Sequence, residues 1–219
     1  MCSSPIGSMS ETPFKPLTRA FFSRPTRTVA REILGCLLVR YLNGHRLSGI
    51  IVEAEAYIGE KDLACHAKAG RTPRTEVMYG PAGFSYVYFT YGMHWMLNVV
   101  TESKDFPAAV LIRAIQPMEG VDVMRRLRGG KETSNLCSGP AKLTQALDIT
   151  RAHNGLDLCQ PSSSISIEPY RAYPSSSIVV GPRIGLENTP EPWKSKPWRY
   201  SVKNIKFESK EAVYEETDS

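Results

Sequence analysis

Long hydrophobic runs are missing from this sequence. No stretch of 18 or more consecutive apolar residues occurs, which excludes a transmembrane helix. The opening segment, Met1 to Gly7, lacks the basic region and apolar stretch of a secretory signal. Cysteine is scarce: the five cysteines are scattered and form no CxxC pair, so neither a disulfide framework nor a zinc ribbon is indicated. We therefore expect an intracellular protein with free thiols and no membrane contact.

Strong compositional bias is also absent, but the charge is unevenly distributed. With 42% hydrophobic and 22% charged residues, the 219-residue chain is typical of a globular protein. The formal net charge is +5, yet the last twelve residues hold five acids and one base. Residues 1–207 therefore hold 26 bases and 17 acids, a net charge of +9. A basic body suits a polyanionic partner such as nucleic acid, although composition alone does not establish one.

The pattern of apolar residues predicts one domain of mixed α/β type. We expect a disordered leader at 1–12, a single domain at 13–207 and a solvated acidic tail at 208–219. The domain is expected to be of the α+β kind, with a curved, mostly antiparallel sheet flanked by helices. Asn43-Gly44 predicts a type I′ hairpin. The predicted strands are 36–42, 46–57, 83–91, 93–101, 108–116, 162–169, 178–186 and 201–207, and the predicted helices are 28–34, 118–127 and 140–147.

Two glutamates and a tyrosine alternate with alanines along the second predicted strand. Because successive side chains of a strand point to opposite faces, Glu53, Glu55 and Tyr57 share one face. Burying an unpaired carboxylate is costly, so each glutamate needs a partner or a chemical role. A solvated face and a structural pair with arginine remain open as simpler interpretations.

Three tyrosines lie close together in the third predicted strand. Tyr86 and Tyr88 share a face, and Tyr91 lies at a Tyr-Gly turn, where an aromatic side chain can project outward. In a basic protein such rings offer stacking surfaces for bases. Ordinary core packing would explain them equally well.

Two further segments carry basic groups suited to phosphate contacts. Loop 65–74 contains lysine and arginine side chains together with a threonine and a glycine, a set suited to phosphate contacts. His66 in the same loop could act as an acid, a hydrogen-bond donor or a ligand. No second Cys/His pair follows at ligand spacing, so a metal site is not indicated. Lys142 lies in the first turn of the helix predicted after Ser-Gly-Pro, where backbone N–H groups can bind an anion. A plain helix cap is the alternative there.

Taken together, these segments resemble the alkyladenine (3-methyladenine) DNA glycosylase family. The resemblance runs from about residue 15 to residue 207, and several motifs in the family's order are far more specific than any one. It implies the fold of the methylpurine glycosylases, which is similar to the C-terminal domain of formyltransferases. The matching segments are 52–57 (VEAEAY), 62–66, 70–74 (GRTPR), 86–92 (YVYFTYG), Asn98, 111–114, 136–143 (LCSGPAKL) and 183–185 (RIG).

The resemblance also implies a chemistry. The family flips a damaged purine out of the duplex and hydrolyses its N-glycosidic bond, and extrusion is needed because a stacked base cannot be attacked at its sugar carbon. Glu55 matches the general base that activates the water, a choice that strand geometry alone does not make between Glu53 and Glu55. Arg113 matches a residue that holds the water, and Ile184 matches one that offers it a backbone carbonyl.

Other matching residues concern the substrate. Tyr57, His66 and Tyr88 match the base pocket, in which stacking and cation–π attraction favour cationic 3-methyladenine and 7-methylguanine. Hypoxanthine and ethenoadenine are further candidate lesions. Asn98 matches the residue that disfavours guanine through a clash with its amino group. Tyr91 matches the wedge that fills the gap left in the base stack.

The last group of implied roles concerns the DNA partner. The expected contacts to the DNA backbone are Arg71, Arg74 and Lys142. The loop that contains Arg71 and Arg74 is one residue shorter than the family's pattern. No lysine matches a catalytic position, which implies a monofunctional enzyme that leaves an abasic site. The resemblance implies no metal or organic cofactor. We expect a monomer that acts on double-stranded DNA with damaged purines, in the bacterial cytoplasm or nucleoid or in a eukaryotic nucleus.

Two other functions compete with this interpretation. A binding module for single-stranded nucleic acid explains the charge and the aromatic residues, but not paired carboxylates that would repel phosphate. A carboxylate-pair hydrolase of nucleosides or glycans explains Glu53 and Glu55, but not the basic loops. A comparison of duplex DNA with free nucleoside as substrate would separate the last possibility.

Overall fold

A computed structural model describes residues 15–90 and 92–207. The predicted leader 1–12, the acidic tail 208–219 and the wedge candidate Tyr91 lie outside the described residues. None of the described helices is both long and apolar enough to cross a bilayer. The described residues contain the α-helices α1 (Arg19–Phe22), α2 (Thr26–Glu32), α3 (Val121–Leu127) and α4 (Pro140–Ala146). They also contain the strands β1 (Leu37–Leu42), β2 (His45–Ile58), β3 (Ser85–Thr90), β4 (His94–Val100), β5 (Ala108–Glu119), β6 (Ile165–Glu168), β7 (Ile178–Gly181) and β8 (Arg199–Val202).

All the strands pair antiparallel in one sheet that branches at β2. The main path runs β3-β4-β5-β2-β1-β6. Along one edge β2 pairs with β5, while its other edge pairs first with β1 and then, at residues 53–55, with β8. The fourteen residues of β2 are long enough to hold both partners on one edge. This confirms the predicted α/β class with an antiparallel sheet, and it makes β2 the strand around which the site is built.

The first hairpin follows the predicted turn chemistry. Asn43 and Gly44 both have positive φ, 49° and 79°, as a type I′ turn requires. The turn joins β1 to β2 with Leu42 opposite His45. Register in this hairpin sets which side chains of β2 point into the protein.

The long strands β2 and β5 pair through a local irregularity. The register passes from Glu53 opposite Ala114 to Ala54 opposite Ile112, so that Arg113 lies at an extra position in β5. Such bulges turn a side chain away from its regular direction and are common beside active sites. Here the bulge brings the Arg113 side chain to Glu53 and Glu55.

Apolar side chains from the strands and helices form one main core. Helices α2 and α4 pack against the sheet, and their buried residues join those of β1, β2 and β5. A smaller apolar cluster lies beside the second half of β2 and contains Cys65, Ala67, Met78, Tyr86, Val100 and Ala109. The partly buried Tyr57 and Tyr88 pack against this smaller cluster.

Several predicted boundaries are wrong. The helix predicted over 118–127 begins only at Val121, because β5 continues to Glu119 and the chain turns at Gly120 with a φ of 69°. A Cβ on Gly120 would lie 2.2 Å from Leu47 Cδ2, so this close turn requires glycine. The strands predicted over 162–169, 178–186 and 201–207 are four residues each, because they pair only with short stretches of β1, β2 and one another.

Candidate active site

A cavity of about 440 Å³ opens beside the second half of β2. Its size lies in the range usual for small-molecule sites. Side chains from β2, β3, β4 and β5 line one part, and the segments 63–68 and 184–189, with Met78 and Pro140, line the rest. The predicted site residues that line it are Tyr57, His66, Tyr88, Asn98, Arg113 and Ile184, and the sequence analysis did not single out Met78 or Met96.

Glu55 is fully buried and contacts residues of this lining. Its Oε2 accepts a hydrogen bond of 2.8 Å from the Tyr57 hydroxyl, and its Oε1 accepts one of 2.8 Å from the Ile184 backbone N–H. Arg113 Nη1 lies 3.2 Å from the same Oε1. All three partners line the cavity, so the carboxylate is held in one orientation by residues of the cavity wall. Alternation along β2 explains the first contact, because Tyr57 follows Glu55 by two residues.

Glu53 is equally buried but has a different environment. Its Oε1 accepts hydrogen bonds from Arg113 Nε at 3.0 Å and Arg199 Nη1 at 3.4 Å. The predicted shared face of Glu53, Glu55 and Tyr57 is therefore present, and the structural pair with arginine, one of the simpler interpretations, applies to Glu53. Glu55 contacts three residues of the cavity wall, whereas Glu53 contacts Arg113 of that wall and Arg199, which does not line the cavity.

Arg113 links the two carboxylates electrostatically. Burial alone would lower the pKa of its guanidinium, but the charges of Glu55 and Glu53 more than offset this, and the pKa lies above its usual value. With Arg199, the buried cluster contains two cations and two carboxylates. Each buried carboxylate of this cluster therefore has a guanidinium within ion-pair distance, which offsets part of the cost of its burial.

Aromatic rings form one wall of the cavity. Tyr86 and Tyr88 lie on the same face of β3, with ring centroids 5.4 Å apart, which confirms their predicted shared face. The ring of His66 meets Tyr88 edge-on at 4.4 Å. Burial raises the pKa of Tyr57, and the Glu55 carboxylate raises it further, so its phenol stays protonated and can donate to Glu55.

The imidazole of His66 is held in its neutral form. Its Nδ1 lies 2.9 Å from the Tyr86 hydroxyl, and Arg74 Nη2 lies 3.5 Å from its Nε2. Burial lowers the pKa of His66 to about 4, and the charges of Arg74 and Lys68 add to the effect. At neutral pH the His66 ring is therefore uncharged, so it can form hydrogen bonds in the cavity but is not a cationic acid.

Asn98 lines the inner part of the cavity and is 4% exposed. It lies opposite Tyr86 in the β3–β4 pair, and its Nδ2 donates to the Tyr86 carbonyl at 3.0 Å. This bond fixes the amide at a defined depth in the cavity. The strand register thus brings Asn98 to the wall that carries the aromatic rings.

The three basic residues expected at the DNA backbone differ in their surroundings. Arg71 is exposed and forms ion pairs with Glu76 at 2.7 Å and Asp105 at 3.0 Å. Arg74 lies nearer the cavity, 5.5 Å above the Tyr88 ring. Lys142 Nζ donates to Asn135 Oδ1 at 2.6 Å and to Ser138 Oγ at 3.2 Å, and the neighbouring Pro140 lines the cavity.

Two exposed apolar side chains lie where β3 ends and just before β4 begins. Phe89 is 44% and Met93 is 68% exposed, and the wedge candidate Tyr91 lies between them in the sequence. In the part of the chain that the structure describes, no group of three or more His, Cys, Asp or Glu side chains is arranged to hold a metal ion.

Comparison with known proteins identifies the family. The family model for methylpurine-DNA glycosylase (MPG) matches residues 20–206. Proteins from Myxococcus xanthus and Carboxydothermus hydrogenoformans are each 48% identical over 194 residues, covering 89% of this chain and 93% and 98% of their own lengths. A protein from Methanocella arvoryzae is 48% identical over 197 residues, covering 90% of this chain and 96% of its own. All three are named "Putative 3-methyladenine DNA glycosylase". This chain therefore belongs to the methylpurine-DNA glycosylase family of DNA-repair hydrolases.

Proposed function

We propose that this protein is a monofunctional DNA glycosylase that hydrolyses the N-glycosidic bond of alkylated or deaminated purines in duplex DNA. The observation that carries the proposal is the fixed Glu55 carboxylate, which is held by three groups of an aromatic cavity wall: Tyr57, Arg113 and the Ile184 N–H. The cavity admits a base only after the base has left the helix, because the reacting carbon of a stacked nucleotide is inaccessible.

Base capture relies on the aromatic wall. Tyr57, Tyr88 and His66 offer ring surfaces, and stacking of a base on one aromatic side chain contributes about 1–3 kcal/mol. A purine alkylated at N3 or N7 carries a positive charge, which the faces of the rings attract. Asn98, fixed at its depth by the Tyr86 carbonyl, obstructs the amino group of an undamaged guanine.

Hydrolysis proceeds through a water molecule at Glu55. As the bond between the sugar C1′ and the purine breaks, positive charge develops on the sugar, and the nearby carboxylate stabilises it. The water attacks C1′ and transfers its proton to Glu55, while Arg113 and the Ile184 carbonyl orient it. The bonding electrons leave with the purine, so a cationic purine departs as a neutral base without prior protonation. Because His66 is neutral, neutral lesions are expected to react more slowly.

Contacts with phosphates place the duplex over the cavity. Arg74 and Lys142 lie beside its lining residues, and Arg71 lies farther out in an ion-paired cluster. We propose that all three contact the DNA backbone, and that Tyr91, which lies between β3 and β4 in the sequence, fills the gap left by the flipped base. The basic body of the chain favours this approach to DNA.

A single-turnover assay tests the proposal. Duplexes with one 7-methylguanine, hypoxanthine or ethenoadenine are incubated with wild type and Glu55→Gln, then treated with alkali to reveal abasic sites. We expect alkali-dependent breaks with wild type, and a rate at least about a thousandfold lower with Glu55→Gln at unchanged duplex binding. Glu168→Gln, which alters a buried carboxylate of β6 outside the cavity, is the matched control.

The other outcomes are equally informative. Tight binding without breaks on any lesion would identify a binding protein and refute the proposal. Strand breaks before alkali would show lyase chemistry, for which Lys68 at the cavity lining is the candidate amine. Cleavage of free nucleosides but not of duplexes would favour a nucleoside hydrolase.

A further inference from the structure

A buried arginine covers the ring of Tyr57. The guanidinium carbon of Arg183 lies 4.7 Å from the centroid of the Tyr57 ring and 5.0 Å from that of Trp198. Arg183 is therefore sandwiched between a ring that lines the cavity and one that does not. Since its side chain is fully buried, the cavity meets Tyr57 on the part of the ring that Arg183 leaves open.

Asp62 holds this guanidinium by two parallel hydrogen bonds. Arg183 Nη1 donates to Asp62 Oδ2 at 2.6 Å, and Nη2 donates to Asp62 Oδ1 at 2.9 Å. The Ala56 carbonyl accepts a further bond of 2.9 Å from Nη1. Both side chains of the pair are fully buried. Within residues 15–90 and 92–207, Asp62 is the ion-pair partner recorded for Arg183.

The pair also joins three parts of the cavity wall. Asp62 accepts hydrogen bonds from the Ile58 N–H at 3.2 Å and the Ala64 N–H at 3.1 Å, which shape the loop leading to His66. Arg183 directly precedes Ile184, whose N–H donates to Glu55. The Arg183–Asp62 pair thus connects the Tyr57 ring, the His66 loop and the segment that contacts the glutamate.

The charge of this pair has a consequence for the bound base. A cation on one face of an aromatic ring uses the same ring electrons that attract a cation on the other side. An uncompensated Arg183 would therefore oppose a positively charged purine at Tyr57. The bidentate Asp62 carboxylate cancels that charge where the guanidinium meets the ring.

We infer that Asp62 is a specificity-determining positioning residue: by neutralising Arg183 behind Tyr57, it lets the cavity accept cationic purines as well as neutral ones. The inference rests on the proposed function. It concerns the ratio of two excision rates, so effects common to all lesions, such as a change in the basicity of Glu55, cancel.

The size of the effect follows from Coulomb's law. A base stacked on Tyr57 would lie roughly 8–10 Å from the pair. At that distance, with an effective dielectric constant of about 20, the uncompensated charge of Arg183 lowers the excision rate of a cationic base by about tenfold or more. The change applies to a cationic base. A neutral base of the same shape would be affected little.

The test compares 7-methylguanine with hypoxanthine duplexes in single-turnover excision at enzyme concentrations well below saturation, so that each rate includes the binding of the flipped base. We expect Asp62→Asn to lower the ratio of the two rates by about tenfold. The double variant Asp62→Asn/Arg183→Gln removes both charges, and we expect it to restore the ratio even where its absolute rates are low. Glu168→Gln serves as the matched control, with an unchanged ratio. Thermal denaturation establishes that each variant is folded.

The outcomes separate the two proposals. If wild type excises neither lesion, the proposed function is wrong. If wild type excises both and Asp62→Asn lowers both rates equally, the pair has only a structural role and the inference fails. A ratio that falls in Asp62→Asn and stays equally low in the double variant would also overturn it, because charge would not be the cause. Where wild type excises 7-methylguanine alone, recovery of that rate in the double variant supports the inference, and no recovery refutes it.

Discussion

Glu53 offers a direct test of the division of labour between the two buried glutamates. Its carboxylate lies between Arg113 and Arg199 and is fully buried. Glu53→Gln keeps the shape but leaves two buried guanidinium groups with one carboxylate fewer. Breaking a buried ion pair by removing one partner costs about 3–5 kcal/mol, and an amide oxygen that still accepts a hydrogen bond places this case near 3 kcal/mol.

The assay is thermal unfolding of wild type, Glu53→Gln and Glu55→Gln. For a chain of this size 1 kcal/mol shifts the Tm by about 2–4 °C, so Glu53→Gln is expected to unfold about 6–12 °C below wild type. Glu55→Gln should shift the Tm less, because only Arg113 loses an ionic contact and keeps its bond to Glu53. In single-turnover excision we expect the opposite order of severity, so that Glu53→Gln retains far more activity than Glu55→Gln.

Two results would refute this reasoning. A Tm of Glu53→Gln within about 2 °C of wild type would show that the charge cluster does not stabilise the fold as argued. Loss of excision in a stably folded Glu53→Gln, with activity retained in Glu55→Gln, would make Glu53 the base.

Four other predictions address the cavity and the DNA. Because the pKa of His66 is about 4 in the folded chain and about 6.5 when unfolded, the unfolded chain binds more protons between these values, and stability decreases as the pH is lowered. From pH 7 to pH 5 wild type should lose about 1–2 kcal/mol more stability than His66→Gln in denaturant titrations; equal losses would contradict the burial of the ring. Asn98→Ala should raise the rate at which undamaged guanine is excised. If that rate does not change, Asn98 has no role in discrimination against guanine. Tyr91→Ala should reduce flipping, measured by the fluorescence of ethenoadenine in the duplex, together with excision; no change in either would exclude the wedge role. Duplex affinity should fall steeply with salt, less so for Lys142→Ala, whereas a flat dependence would argue against phosphate contacts.

Local sequence patterns were sufficient for much of the sheet and for part of the site. Alternation placed Glu53, Glu55 and Tyr57 on one face, and Asn43-Gly44 supplied the type I′ turn. These features depend on neighbours in the chain, whose preferences are readable without the fold. The family resemblance pointed to six residues that line one cavity in the structure.

Only the tertiary structure showed how the surroundings of the two glutamates differ and which buried charges pair. Glu55 differs from Glu53 because the Ile184 N–H, 129 residues away, donates to it, and because a bulge in β5 brings Arg113 between the two. The Asp62–Arg183 pair joins residues 121 apart. Strand pairing and loop packing decide such contacts. Neither periodicity nor spacing along the chain encodes which distant cation will neutralise a buried carboxylate.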